Sequence, residues 1–172
     1  MYKYALTGHT CGLGKEIINM LPYDTLCFSR SNGYDISKSN TRKRIIEECI
    51  DCDVFINNAY DKFSQVDLLY DLAETWKDTE RHIINIGSNI TNYQSKFLNV
   101  KRLKQKSYKT ALLNAVNEIN KCNIRLKVIY FNIVGYLDTQ EMKNKYQNNV
   151  NFISTQKVAN DIIKTTYSSC SN

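Results

Sequence analysis

Gly8-His9-Thr10-Cys11-Gly12-Leu13-Gly14 stands between an apolar run, Tyr2 to Thr7, and a pattern of helical period from Leu13 to Leu21. Half of the six glycines in the chain fall inside this stretch. In a strand–loop–helix unit, the first glycine allows a tight turn and the second lets the backbone approach a diphosphate. The third lets the helix pack close to the strand, and the helix N-terminus turns free N–H groups toward the anion. The stretch therefore predicts a phosphate-cradling loop rather than a turn with no ligand. Its spacing is G-x-x-x-G-x-G, not the G-x-G-x-x-G of general dinucleotide folds.

Outward from this loop, strands and helices alternate. Strands are expected at Tyr2–Thr7, Thr25–Ser29, Asp53–Asn57, His82–Ile86 and Leu126–Ile133, with a vestigial one at Tyr34-Asp35-Ile36. Helices are expected at Leu13–Leu21, Ser37–Ile50 (N-capped by Ser37 or Ser39), Val66–Thr79, Val100–Lys121 and Val158–Tyr167. Continuously apolar strands separated by helices imply parallel βαβ units covered on both sides. The fold class is α/β: a Rossmann-like, doubly wound parallel sheet with helices on both faces, formed as a single domain over residues 1–172. Ligands of such a sheet bind outside the carboxyl ends of its strands, at the switch point.

The 172 residues, 42% of them hydrophobic and 23% charged, suffice for one core. The longest uncharged apolar run, Val128 to Leu137, is too short to cross a bilayer, and the N-terminus lacks the apolar stretch of a signal peptide. A soluble, cytoplasmic protein with no membrane partner is expected. The net charge of +6 suits phosphate-bearing partners without selecting one. Lys96, Lys101, Arg102, Lys104, Lys106 and Lys109 form a basic run that could track nucleic-acid phosphates, but such a run is more often one solvated helix face. The six cysteines are irregularly spaced and are read as reduced thiols. Cys49-Ile50-Asp51-Cys52 closes a helical stretch instead of opening one, and no second pair completes a zinc site, so no metal is expected.

Several motifs, in order along the chain, resemble those of the short-chain dehydrogenase/reductase family. Thr7-Gly8-x-x-x-Gly12-x-Gly14 is similar to its cofactor loop, and Asp35-Ile36 to the pair that holds the adenine ring. Asn57-Asn58-Ala59 resembles its N-N-A-G motif, with Tyr60 in place of the glycine. Ile86-Gly87-Ser88 puts a serine where the family keeps a catalytic one. Val134-Gly135-Tyr136-Leu137-Asp138-Thr139 is similar to its P-G-x-x-x-T loop without the proline, and Thr155-Gln156-Lys157-Val158-Ala159 to the stretch before a late helix. The resemblance implies a dinucleotide held by Gly8, His9, Thr10, Cys11, Gly12, Leu13, Gly14, Asp35, Ile36, Asn58, Ala59, Lys109 and Ile133. It also makes a homodimer plausible, paired through the helices near 66–79 and 100–121. The second strand ends in Ser29-Arg30 with no acidic residue from 25 to 32. An arginine there can pair with the 2′-phosphate of NADP, so NADP(H) is preferred over NAD(H).

The departures bear on catalysis. The family uses a tyrosine and a lysine four residues apart on one face of the long helix. Aligning Lys109 with that lysine puts Gln105 at the tyrosine position, and an amide has no titratable proton. The other register makes Tyr108 the acid and replaces the lysine by Leu112. Ser88, Lys109, Tyr108 and Gln105 are the candidate catalytic residues, with Ser88 and Lys109 expected on either side of the nicotinamide. Tyr108 can equally be a core aromatic, and Tyr93 is another possible proton source. The chain also ends soon after the Val158 helix, which implies a minimal member with a small or open substrate site. The expectation is hydride transfer to or from a small carbonyl or alcohol substrate. The alternative is a catalytically impaired dinucleotide-binding protein, a sensor or regulatory module.

Overall fold

In β1 (Tyr4–Thr7), Ala5 faces one layer of the core while Tyr4 and Leu6 face the other. The same parity divides Phe55 from Val54 and Ile56 in β3 (Val54–Asn57), and Ile83 from Ile84 and Ile86 in β4 (His82–Ile86). Side chains alternate across a strand, so a sheet covered on both sides reads as near-continuous apolar runs, broken here at the buried Thr7, Asn57, His82 and Asn85. With β2 (Leu26–Phe28) and β5 (Lys127–Phe131) these strands form one parallel sheet in the order β2-β1-β3-β4-β5. The computed structural model describes residues 2–122, 125–146 and 150–169, the last three by backbone alone.

Three helices cover the Ala5 face: α2 (Ser39–Glu48), α3 (Ser64–Trp76) and α4 (Val100–Cys122). Leu68, Leu69 and Leu72 of α3 are fully buried there, each contributing about 1.5–3 kcal/mol. Trp76 closes the layer, edge-on to Phe55 at 6.3 Å. The Leu6 face is covered by α1 (Gly12–Ile18) and α6 (Thr155–Ser169), through Leu13, Ile17, Val158 and Ile162. No described helix is long and apolar enough to cross a membrane.

The vestigial strand at Tyr34-Asp35-Ile36 does not form. A 3-10 turn, Arg30–Asn32, is followed by Gly33 at φ 90°, and Asp35 folds the chain locally by accepting from the Ser37 and Lys38 N–H groups. Those bonds replace the ladder a third strand would need. β2 is thus the sheet edge, with Tyr34 edge-on to Phe28 at 4.8 Å and its hydroxyl on Glu48. Neither Ser37 nor Ser39 caps α2; the capping position is Lys38, without a side-chain bond, and Ser39 is already helical. Cys49 and Cys52 are free and buried where α2 passes into β3; hydrogen bonding to Cys52, then burial, pushes the Cys49 thiol up. Cys11, Cys27 and Cys122 are also free, and Cys170 lies outside the described residues.

Two strands and a helix were not expected. β6 (Tyr136–Leu137) pairs in parallel with β7 (Phe152–Ile153), and α5 (Gln140–Lys145) lies between them in sequence. Because β2 and β3 leave β1 on opposite sides, the switch point lies at the carboxyl ends of β1 and β3. Gly135, Tyr136, Leu137, Thr139, Glu141 and Met142 supply a wall beside it.

Candidate active site

The glycine loop is tied down from β3. Asn58 Nδ2 donates to the Thr7 and Gly8 carbonyls, both at 3.1 Å, while Thr7 Oγ1 accepts from the Asn58 and Ala59 N–H groups at 3.0 Å. On the other side, Gly8 N–H donates to the Phe28 carbonyl at 2.7 Å. A Cβ at Gly14 would sit 1.9 Å from the Gly8 oxygen and 2.8 Å from Asn58 Nδ2, so the helix packs on the loop only because residue 14 has no side chain. Gly14→Ala is accordingly expected to lose about 1–3 kcal/mol of stability in urea unfolding. An unchanged midpoint would mean that the loop yields freely.

A cavity of about 720 Å³ runs from this loop across the carboxyl ends of the strands. Gly8, Thr10, Cys11, Leu13 and Gly14 line it, as do Arg30, Asp35 and Ile36 beyond β2, Asn58 and Ala59 beyond β3, and Ile133 beyond β5. Gly12 and His9 belong to the loop but not to the cavity wall, and His9 Nδ1 is buried without a hydrogen-bond partner among the described residues. The Arg30 turn is fixed by Asn32, whose Oδ1 accepts from Ser29 N–H and whose Nδ2 donates to the Cys27 carbonyl, both at 2.7 Å. The Ser37 backbone N–H, foremost among its partners, holds the Asp35 carboxyl below the usual carboxylate range.

At the other end, Ser88 and Gln105 line the same cavity, with Tyr93 between them in sequence. Ser88 leaves β4 in extended conformation and its Oγ accepts from Ile90 N–H at 3.4 Å, starting the 3-10 turn Asn89–Asn92 against α4. Tyr130 Oη accepts from the Ser88 N–H at 3.1 Å, and burial raises the Tyr130 pKa.

Lys109 and Tyr108 do not line the cavity. Lys109 is 6% exposed, and its Nζ donates to Gln65 Oε1 and to the Ile86 carbonyl, both at 2.7 Å. Burial lowers its pKa to about 7. Tyr60, the residue in the glycine position of the Asn57-Asn58-Ala59 motif, lines the cavity and holds its ring centre 4.9 Å from Lys109 Nζ. Tyr108 packs edge-on to Phe63 at 4.7 Å and lies 6.5 Å from the Tyr60 ring. The expectation that Lys109 flanks the reacting centre thus meets a lysine turned into the protein, beneath Tyr60.

Gln65 is the residue that the sequence reading lacked. Its Nε2 donates to the Asn57 carbonyl at 2.7 Å and the Ile86 carbonyl at 3.3 Å, and Asn57 Nδ2 bridges back to the Gln65 carbonyl and to Asn85 Oδ1. A glutamine in the first turn of a helix carries no sequence signal for such a network. The basic run also divides. Arg102 lines the cavity, Lys106 donates to the Tyr93 carbonyl and Lys109 is buried, whereas Lys96, Lys101 and Lys104 are exposed. Among the described residues no group of His, Cys, Asp and Glu is arranged to hold a metal ion.

No family model matches the chain, and no curated protein matches it by sequence. Solved structures do match. A short-chain dehydrogenase from Burkholderia cenocepacia J2315 in complex with NADP superposes with a TM-score of 0.75 at 17% identity, over 96% of this chain and 84% of that one. An alcohol dehydrogenase from the archaeon Thermococcus sibiricus, complexed with 5-hydroxy-NADP, gives 0.74 at 14% identity, over 96% and 90%. A 7α-hydroxysteroid dehydrogenase complexed with NADH and 7-oxo glycochenodeoxycholic acid gives 0.69 at 16%, over 97% and 89%. With its five parallel strands, its Asn58-tied glycine loop and a cavity along their carboxyl ends, the chain has the fold of the short-chain dehydrogenases/reductases.

Proposed function

We propose that this protein is an NADP(H)-dependent oxidoreductase of the short-chain dehydrogenase/reductase type, acting on a small carbonyl or alcohol. The observation that carries the reading is the single cavity joining the Gly8–Gly14 loop to Ser88 and Gln105. A glycine loop that borders the cavity through Gly8, Thr10, Cys11, Leu13 and Gly14 is suited to a diphosphate, and the dinucleotide supplies or takes up a hydride when bound. In this reading the loop and the α1 N-terminus meet the diphosphate, Asn58 holds the loop closed, and Arg30 takes the 2′-phosphate. The NADP in the Burkholderia structure and the 5-hydroxy-NADP in the Thermococcus structure support the choice of cofactor. Ser88 Oγ donates to the substrate oxygen. Gln105 can donate to the same oxygen but cannot give up a proton.

Charge-assisted pairing with a phosphate is worth about 1.5–3 kcal/mol, so NADPH is expected to bind roughly ten- to a hundredfold tighter than NADH. Fluorescence titration of both cofactors against wild type and Arg30→Ala tests this. The variant should lose the preference, and equal affinities in the wild type would sink the assignment.

A second reading, a dinucleotide-binding protein without turnover, is favoured by Gln105 and by the cover that Tyr60 places over Lys109. NADPH binding with no turnover of any carbonyl substrate would establish it. Nucleic-acid binding is the weaker reading, because three of the six cations in the basic run are engaged or turned inward. A homodimer paired through α3 and α4, in the cytoplasm, completes the proposal; sedimentation tests the pairing.

A further inference from the structure

Arg102 lies in the first turn of α4, three residues before Gln105, and both line the cavity. Residues three apart share a helix face, so the guanidinium and the amide look into the same end of the cavity. Arg102 Nη2 donates to Tyr136 Oη at 2.8 Å, and its Cζ lies 5.7 Å from the Tyr136 ring centre. This contact to β6 fixes the guanidinium while using one of its five N–H donors. Among the described residues Arg102 makes no salt bridge, although Glu141 lines the same cavity. Helix stability does not account for the arginine either. A cation in a first turn opposes the helix dipole, and this turn contains no acidic residue to offset it.

A half-buried, oriented guanidinium with spare donors in a cavity is a receptor for a planar anion. We infer that the Ser88–Gln105 end of the cavity takes a carbonyl compound bearing a carboxylate, with the carboxylate on Arg102 and the carbonyl oxygen toward Ser88. The inference rests on the oxidoreductase reading and names the substrate class of that site.

The test compares pyruvate, acetoacetate and levulinate with their methyl esters, which keep the carbonyl and lose the charge. Binding of each is measured by calorimetry, with and without saturating NADPH. At least one acid is expected to bind about tenfold or more tighter than its ester. Arg102→Gln should abolish that preference, and Arg102→Lys, which keeps the charge but not the paired donors, should retain part of it. Equal binding of acid and ester in the wild type overturns the inference, as does an undiminished preference in a folded Arg102→Gln protein. Because the preference is read without turnover, the two readings fail separately. A protein that binds no NADPH but still selects an acid through Arg102 overturns the oxidoreductase reading and upholds the carboxylate subsite.

Discussion

Gln105→Tyr combined with Tyr60→Gly is expected to raise turnover of a reactive aldehyde with NADPH by about 10²–10⁴-fold, the contribution of a positioned general acid. Gln105 lines the cavity and stands four residues before Lys109 on α4. A phenol at 105 supplies the titratable proton that the amide lacks. It works near neutral pH only if a nearby cation stabilises its ionised form. The lysine one turn further along the same helix face, Lys109, is engaged by Gln65 and the Ile86 carbonyl and covered by the Tyr60 ring. Gln105→Tyr alone should therefore deliver only a minor part of the gain, and removing the Tyr60 ring should release the rest. Initial rates of the two single variants and the double variant measure this. A double variant that binds NADPH yet is no faster than wild type favours the binding-protein reading. A wild type that is already fast and is silenced by Tyr108→Phe would make Tyr108 the acid, against its packing on Phe63 away from the cavity wall.

The parallel sheet was legible because both of its faces are buried, which makes most strand positions apolar, with Thr7, Asn57, His82 and Asn85 as buried polar exceptions, and leaves runs that stand out between helical patterns. The glycine loop was legible because backbone crowding at Gly14 tolerates no side chain, and that demand survives in the sequence as a spacing. Tyr34-Asp35-Ile36 misled because three residues carry too little period to separate a strand from a turn, and the Asp35 turn bonds decide the matter. β6 and β7 are two residues each, below any periodic signal. Lys109 shows a different limit. Its spacing from Gln105 gives a helix face, but whether the ammonium reaches the cavity depends on Tyr60 and Gln65, which approach from other elements. Arg102 was counted in a basic run because linear charge does not reveal which of several lysines and arginines turn inward.

Lys109 is expected to make the stability of this protein climb with pH. Burial lowers its pKa from 10.5 to about 7 in the folded chain, whereas in the unfolded chain it keeps its proton to about 10.4. Between those values the unfolded state binds more protons than the folded one, so the unfolding free energy rises with pH across that window. Below pH 7 both states are charged and the folded state carries the full desolvation cost. Above the unfolded value neither state is charged and the cost is gone. The whole swing approaches about 5 kcal/mol, of which about 2–3 kcal/mol falls between pH 7 and 9. Lys109→Met removes it. That variant also leaves Gln65 Oε1 without its donor, a cost of about 1–3 kcal/mol, while the Ile86 carbonyl keeps Gln65 Nε2 at 3.3 Å. This cost does not vary with pH and drops out of the slope. Urea unfolding of wild type and Lys109→Met at matched pH isolates the effect, since every other titrating group is common to both. The difference should grow in favour of the wild type as pH rises from 7 to 9. A flat difference would mean that the ammonium is solvated in the folded chain.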